Sequence, residues 1–235
     1  MRRSLVFLLV LACTSCKQPA SKSTAAPAAG PQVRATVVAI RTTIQPDNKT
    51  YTHNLVIGDG RARDTGELDQ WRLYDMRAKT VTFIDDIAKT TRTESLDSLL
   101  KKRRDALAEE LPGHYPRAHV KKDGKELRID VGNYRRDLKF AEQRAIPDDL
   151  FAMMQASDSP SSPLAPMMRA AHEELTRVRG FPERDHSELP IGDKKLVIDR
   201  AVAGIAERNV PQVLLRVPPG YRDVTPKPAA GQPAR

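Results

Sequence analysis

Residues 33–57, VRATVVAIRTTIQPDNKTYTHNLVI, decide how the rest of the chain is read. Val33 to Ile44 is rich in β-branched residues, Gln45-Pro46-Asp47-Asn48 is a turn cluster, and Tyr51 to Ile57 has the composition of a hairpin partner closed by Gly58-Asp59-Gly60. The apolar residues recur with a period of two, which suits a pleated strand and not a helix. The fold therefore opens with antiparallel β-structure.

The same period continues downstream. Trp71 and Leu73 alternate with Arg72 and Tyr74, and Val81 and Phe83 alternate with Thr80 and Thr82. Asp85-Asp86 then turns the chain into Lys89 to Thr93, so each segment reads as a strand with one buried and one wet face. At Ser95 to Leu111 the spacing becomes helical, with Leu96, Leu99, Leu100, Arg103, Leu107 and Leu111 at that spacing, Ser95 as N-cap and Pro112-Gly113 as the stop. Strands return at Ala118 to Lys121, Glu126 to Val131 and Asn133 to Glu142. Pro147 to Gln155 reads as a short helix with Pro147 in its first position and two acids in its first turn. A loop from Ser157 to Pro163 leads to a further helix over Leu164 to Val178, and the domain ends in strands at Lys195 to Ala206 and Val210 to Val217. Without regular βαβ alternation, this order predicts an α+β domain: an antiparallel sheet packed on one face by about three helices.

The N-terminus has a different character. Met1-Arg2-Arg3 is a positive n-region, and Ser4 to Ala12 is an apolar run of secretory length. It is shorter than the roughly 20 residues a membrane-spanning helix needs. The chain's two cysteines follow in Cys13-Thr14-Ser15-Cys16. No βαβ pattern surrounds them, as a thioredoxin-like site requires, and the nearest histidine is His53, too remote for a zinc knuckle. What fits is a bacterial lipoprotein cleavage box, with Cys13 or Cys16 carrying the diacylglycerol. The expected partner is thus a membrane, held through an N-terminal lipid anchor in the cell envelope and facing the periplasm. Neither Thr14 nor Lys17 is a retention aspartate, which points to the outer membrane. Residues 1–15 read as the signal, 16–32 as a Pro/Ala/Ser-rich tether, 33–224 as one domain and 225–235 as a disordered tail.

The net charge of +9 invites a nucleic-acid reading. Against it, basic residues are interleaved with acidic ones, no basic strand carries interspersed aromatics, and the chain is exported. A basic surface near anionic headgroups is the simpler account, and no nucleic-acid partner is expected.

Catalytic patterns are sparse. His172-Glu173-Glu174-Leu175-Thr176 begins like a zincin helix but lacks the second histidine, and Ser98-Leu99-Leu100-Lys101 matches S-x-x-K only within an amphipathic helix. His53, His114, His119, His172 and His186 are scattered, although Asp185-His186-Ser187-Glu188 has the residue types of a proton relay. Asp85-Asp86 and Asp148-Asp149 read as turn and cap residues. The expectation is a non-enzymatic protein without cofactor or metal.

Certain phrases carry a resemblance. Trp71-Arg72-Leu73-Tyr74-Asp75 through Lys79-Thr80-Val81-Thr82-Phe83-Ile84-Asp85, then Gly180-Phe181-Pro182 and Val217-Pro218-Pro219-Gly220-Tyr221, resemble the family designated domain of unknown function 4412. That resemblance implies a fold similar to the LolA- and LppX-like periplasmic lipoprotein carriers: a strongly curved antiparallel half-barrel closed by helices over an apolar cavity. Relatives of that shape bind acyl chains or other lipids, so the resemblance implies a lipid or other apolar ligand.

On the residues alone, the most suggestive feature is methionine. Four of the six methionines fall in two neighbouring predicted helices, as Met153-Met154 and Met167-Met168, together with Leu150, Phe151 and Leu164. Such flexible, polarizable side chains suit varied apolar partners, and they equally fill irregular cores. Phe151, Met153, Met154, Leu164, Met167 and Met168 are therefore the candidate ligand-binding residues, with the 157–163 loop as a hinge between them. The expected function is to bind or shield an apolar ligand in the half-barrel. The alternative is an envelope interaction protein whose interior is filled by its own side chains.

Overall fold

The computed structural model describes residues 30–65, 70–110, 117–141, 146–158 and 165–226. The expected signal, both cysteines, most of the tether, Leu164, the 159–163 part of the hinge loop, His114 and the tail beyond residue 226 lie outside them.

The strands are β1 (Gln32–Gln45), β2 (Lys49–Gly58), β3 (Arg61–Asp64), β4 (Gln70–Asp75), β5 (Thr80–Asp85), β6 (Thr90–Ser95), β7 (His119–Asp123), β8 (Glu126–Val131), β9 (Tyr134–Phe140), β10 (Pro182–Ile191), β11 (Lys194–Pro211) and β12 (Arg222–Asp223). They form one twelve-stranded sheet in the order β12-β6-β5-β4-β3-β2-β1-β11-β10-β9-β8-β7. All pairings are antiparallel except β12 on β6. Helices α1 (Leu96–Glu110), α2 (Asp148–Ser157) and α3 (Ala165–Leu175) pack on one face. The molecule is thus an α+β protein built on an antiparallel sheet.

Local chemistry explains the hairpins. The β4–β5 and β5–β6 turns repeat one device: Asp75 accepts hydrogen bonds from the amides of Arg77 and Ala78, and Asp85 from those of Ile87 and Ala88. Each turn then closes on a lysine in the left-handed region, Lys79 (φ 52°) and Lys89 (φ 51°). The side chains of the two aspartates fold the turn where no glycine is present. Ser95 caps α1 as expected, its Oγ accepting from the Ser98 amide at 3.1 Å.

The core lies between sheet and helices, and α2 serves both of its halves. Leu150, Met153 and Ala156 pack with Val38, Leu55 and Tyr74, and Phe151 on the neighbouring flank packs with Leu127, Leu138 and Leu189. Leu99 brings α1 onto the first half, and Ala171 and Leu175 bring α3 onto the second. Each fully buried Leu-sized side chain contributes on the order of 2 kcal/mol.

Several expectations change. β3 and β10 emerge where no strand was read. Pro147 occupies the N-cap of α2, not its first helical turn. The expected strand over Val210 to Val217 ends at Pro211, the N-cap of a 3-10 turn, Gln212–Leu215, whose first amide still donates to the Pro31 carbonyl at 2.8 Å. Beyond it the chain crosses the sheet face opposite the helices. Leu215 packs there against Ala35, Val37 and Val56, and Tyr221 against Trp71, Leu73 and Ile84. That face is therefore not uniformly wet: Trp71 and Leu73 are buried on it, while Tyr74 points to the helices.

Candidate functional site

Helix α2 sets the site's geometry. Asp148 and Asp149 in its first turn suit the positive helix end. Its C-terminus is held by three arginines. Arg103 of α1 donates to the carbonyls of Gln155 and Asp158, the latter at 2.8 Å, where outward-pointing helix carbonyls favour a cation. Arg72 of β4 binds the Asp158 carboxylate at 2.6 Å. Arg136 of β9 reaches Gln155 Oε1 at 3.0 Å.

Arg136 is 1% exposed and holds Asp185 of β10 bidentately, at 2.8 and 2.6 Å. Burial disfavours both charges, but each stabilises the other. The Arg136 pKa stays raised, and the Asp185 carboxyl lies below its ordinary range. His172 of α3 is buried nearby. Desolvation, reinforced by the Arg136, Arg103 and Arg200 cations, pushes its pKa well below the ordinary value, and its Nδ1 has no hydrogen-bond partner.

Between α2 and the sheet lies a cavity of about 640 Å³. Its apolar lining comes from Ile40, Phe83, Phe151, Met154, Phe181 and Val202. Polar and charged side chains complete it: His53 and Asp64 at 3.6 Å, Arg72 with Asp158, and Arg200 with Asp185. These follow from strand register, since Arg200 stands opposite Thr42 across β11 and β1, and His53 opposite Ile40 across β1 and β2.

A second cavity, of about 600 Å³, adjoins the first and shares Phe181, Pro182 and Val202 with it. Leu127, Phe140, Ile146, Val178 and Ile205 line it, and the exposed Lys122, Arg177 and Arg179 stand at its margin. Phe181 sits between the two, edge-on to Phe151 with ring centroids 5.8 Å apart.

The candidate residues divide accordingly. Phe151 and Met154 line the first cavity. Met153, fully buried in the core, lines neither; its position three residues before Ala156 places it on the sheet-facing flank of α2. Met167 and Met168 are partly buried against the second core half, likewise away from both cavities. Leu164 lies outside the described residues. The sequence reading missed Phe181 and Arg200. Phe181 stood in the quoted Gly180-Phe181-Pro182 phrase, and Arg200 in a strand of alternating character.

The remaining candidates lie apart from both cavities. His186 is hydrogen-bonded to Asp199 at 2.6 Å and Glu188 at 3.1 Å on the solvent side of β10, whereas Asp185 points inward to Arg136. His119 is exposed on β7, and Ser98 and Lys101 lie on α1, Lys101 paired with Asp105. Among the described residues no group of three His, Cys, Asp or Glu side chains is arranged to hold a metal. No described helix is long and apolar enough to cross a membrane.

No family model matches the chain, and neither does any curated protein sequence. Among solved structures, PNGF-II aligns with 83% of this chain and 31% of its own at 8% identity, TM-score 0.38, so this chain spans about a third of its length. A LolA superfamily protein from Nitrosomonas europaea aligns with 79% of this chain and 90% of its own at 11% identity, TM-score 0.28.

Proposed function

We propose that this protein is a non-enzymatic, membrane-anchored envelope lipoprotein that binds or shields a lipid or other apolar ligand between its sheet and its helices. The supporting observation is the 640 Å³ cavity lined by Phe83, Phe151, Met154, Phe181 and Val202, with a second cavity beside it. Both volumes fall within the several hundred Å³ usual for small-molecule sites. A twisted sheet of twelve strands curls rather than lying flat, and this supports the half-barrel reading of the fold. The anchor reading rests on the signal-like N-terminus and on Cys13 or Cys16 as acceptor.

Native mass spectrometry and lipid extraction of the purified full chain should reveal a co-purifying lipid. Met154→Asp should abolish its uptake while the protein still melts cooperatively, since Met154 is only half-buried. Extraction that yields no lipid, together with a protein that takes up no apolar probe, would leave the interaction-protein alternative. The buried Met153 and the ion-paired interior side chains favour that alternative. The anchor is tested separately: labelling with a palmitate analogue should be lost in Cys13→Ser or in Cys16→Ser.

A further inference from the structure

The first cavity's lining carries Asp64, Asp85, Asp158 and Asp185 beside Arg72, Arg92 and Arg200, and at Asp185 two cations meet one carboxylate. Asp185 is already bound bidentately by Arg136, at 2.8 and 2.6 Å, when Arg200 approaches it at 3.5 Å. That last distance is at the limit of a hydrogen bond, and the Asp185 charge is satisfied without it. Glu94 is likewise shared by two cations, Arg92 and Lys102. Asp158 has Arg72, and Arg103 adds a further cation through the Asp158 carbonyl. Of these groups Arg200 lines the cavity, is 36% exposed, and has as its only described partner an aspartate that does not need it.

Strand β11 gives this cation an apolar continuation. Arg200 and Val202 share one face of the strand, and Val202 lines both cavities. After an irregularity in the β1 register between Ala39 and Ile40, which sets Val202 and Gly204 against consecutive partners, Ile205 lines the second cavity. From Arg200 to Ile205 is about 16 Å along a strand. Phe181 stands midway, and the far end is apolar: Leu127, Phe140 and Ile146.

Resting on the proposed apolar-ligand function and naming the ligand class for it, we propose that the two cavities form one site for a single-chain amphiphile with an anionic head. Its carboxylate is held by the Arg200 guanidinium in the first cavity. Its chain runs past Phe181 along β11 into the second.

Equilibrium dialysis of the delipidated full chain with radiolabelled myristic acid, and with tetradecanol as the uncharged match, tests this. Wild type should bind the acid about tenfold more tightly than the alcohol, the worth of one charge-assisted hydrogen bond. Arg200→Met should bring the acid down to the alcohol's level without changing the alcohol, and Arg200→Lys should keep part of the preference. Equal binding of acid and alcohol by wild type overturns the head-group assignment and leaves apolar binding standing. So does an Arg200→Met variant that loses both ligands alike, because Arg200 would then only support the cavity. If wild type binds neither, the proposed function fails and this inference with it.

Discussion

The two cavities share Phe181, Pro182 and Val202 yet differ in kind. The first is walled by polar pairs drawn from five strands and the end of α2: His53 with Asp64, Arg72 with Asp158, and Arg200 with Asp185. The second is apolar within, and its charges stay at the solvent margin. The difference shows two ways of keeping space inside one core. Paired charges hold side chains in fixed directions and so prop a cavity open, but breaking one pair is expensive. An apolar wall costs nothing to desolvate, but it stays open only while its neighbours cannot collapse into it.

The comparison is broken most severely at Arg136. Arg136→Met leaves Asp185 charged and buried without its bidentate partner, and should cost about 3–5 kcal/mol in urea unfolding. Adding Asp185→Leu should recover most of it, since the buried carboxylate is then gone and Arg200, 36% exposed, can be hydrated. Next, Phe181→Ala widens the passage between the cavities. It should cost about 2 kcal/mol, less than a fully buried phenylalanine because Phe181 is only half-buried, and the variant should take up bulkier, branched chains that wild type excludes in the dialysis assay.

The histidines sharpen the contrast through pH. His172 is neutral in the folded protein, with Arg136, Arg103 and Arg200 opposing its protonation and Asp185 favouring it less strongly. The unfolded chain therefore takes up a proton below about pH 6.5 that the folded one refuses, so stability falls there by about 1.4 kcal/mol per pH unit. His172→Gln should flatten that limb in melts between pH 5 and 6.5. His186 behaves oppositely. Burial is the largest single influence and lowers its pKa, but the hydrogen bonds to Asp199 and Glu188 and the charges of those two carboxylates together outweigh it and raise it. Its contribution is therefore present below about pH 6.5 and is lost as the pH rises through the folded value. This is the smallest effect, because the ring is well exposed to solvent. It should appear as a slight decline in melting temperature above pH 7 that His186→Asn abolishes.

The fold was legible where burial and hydrophobicity coincide. β1, β2, β8 and α1 follow the apolar period, and Ser95 caps where its side chain says it should. β10 was not read because its inward face is Asp185, Ser187 and Leu189, and a polar residue is buried there only because Arg136 of a non-adjacent segment meets it. β3 has four residues, two of them arginine. The site was half legible for a related reason. Methionine content identified α2, but which methionine faces the cavity depends on the helix's rotation. That rotation is fixed by Arg72, Arg103 and Arg136 from distant positions in the chain. Phe151 and Met154 end on the cavity flank, and Met153 does not.

The placement of β1 has a mechanical consequence. It lies in the middle of the sheet, paired with β11 along its whole length from Gln32 to Gln45 and with β2 from Thr36 to Ile44. A force pulling on the N-terminal end of this strand would run along two ladders whose hydrogen bonds lie perpendicular to it. The ladders would be loaded in shear, with many bonds sharing the tension, whereas an edge strand such as β7 could be peeled away bond by bond. The N-terminal end of the domain is therefore built to carry load.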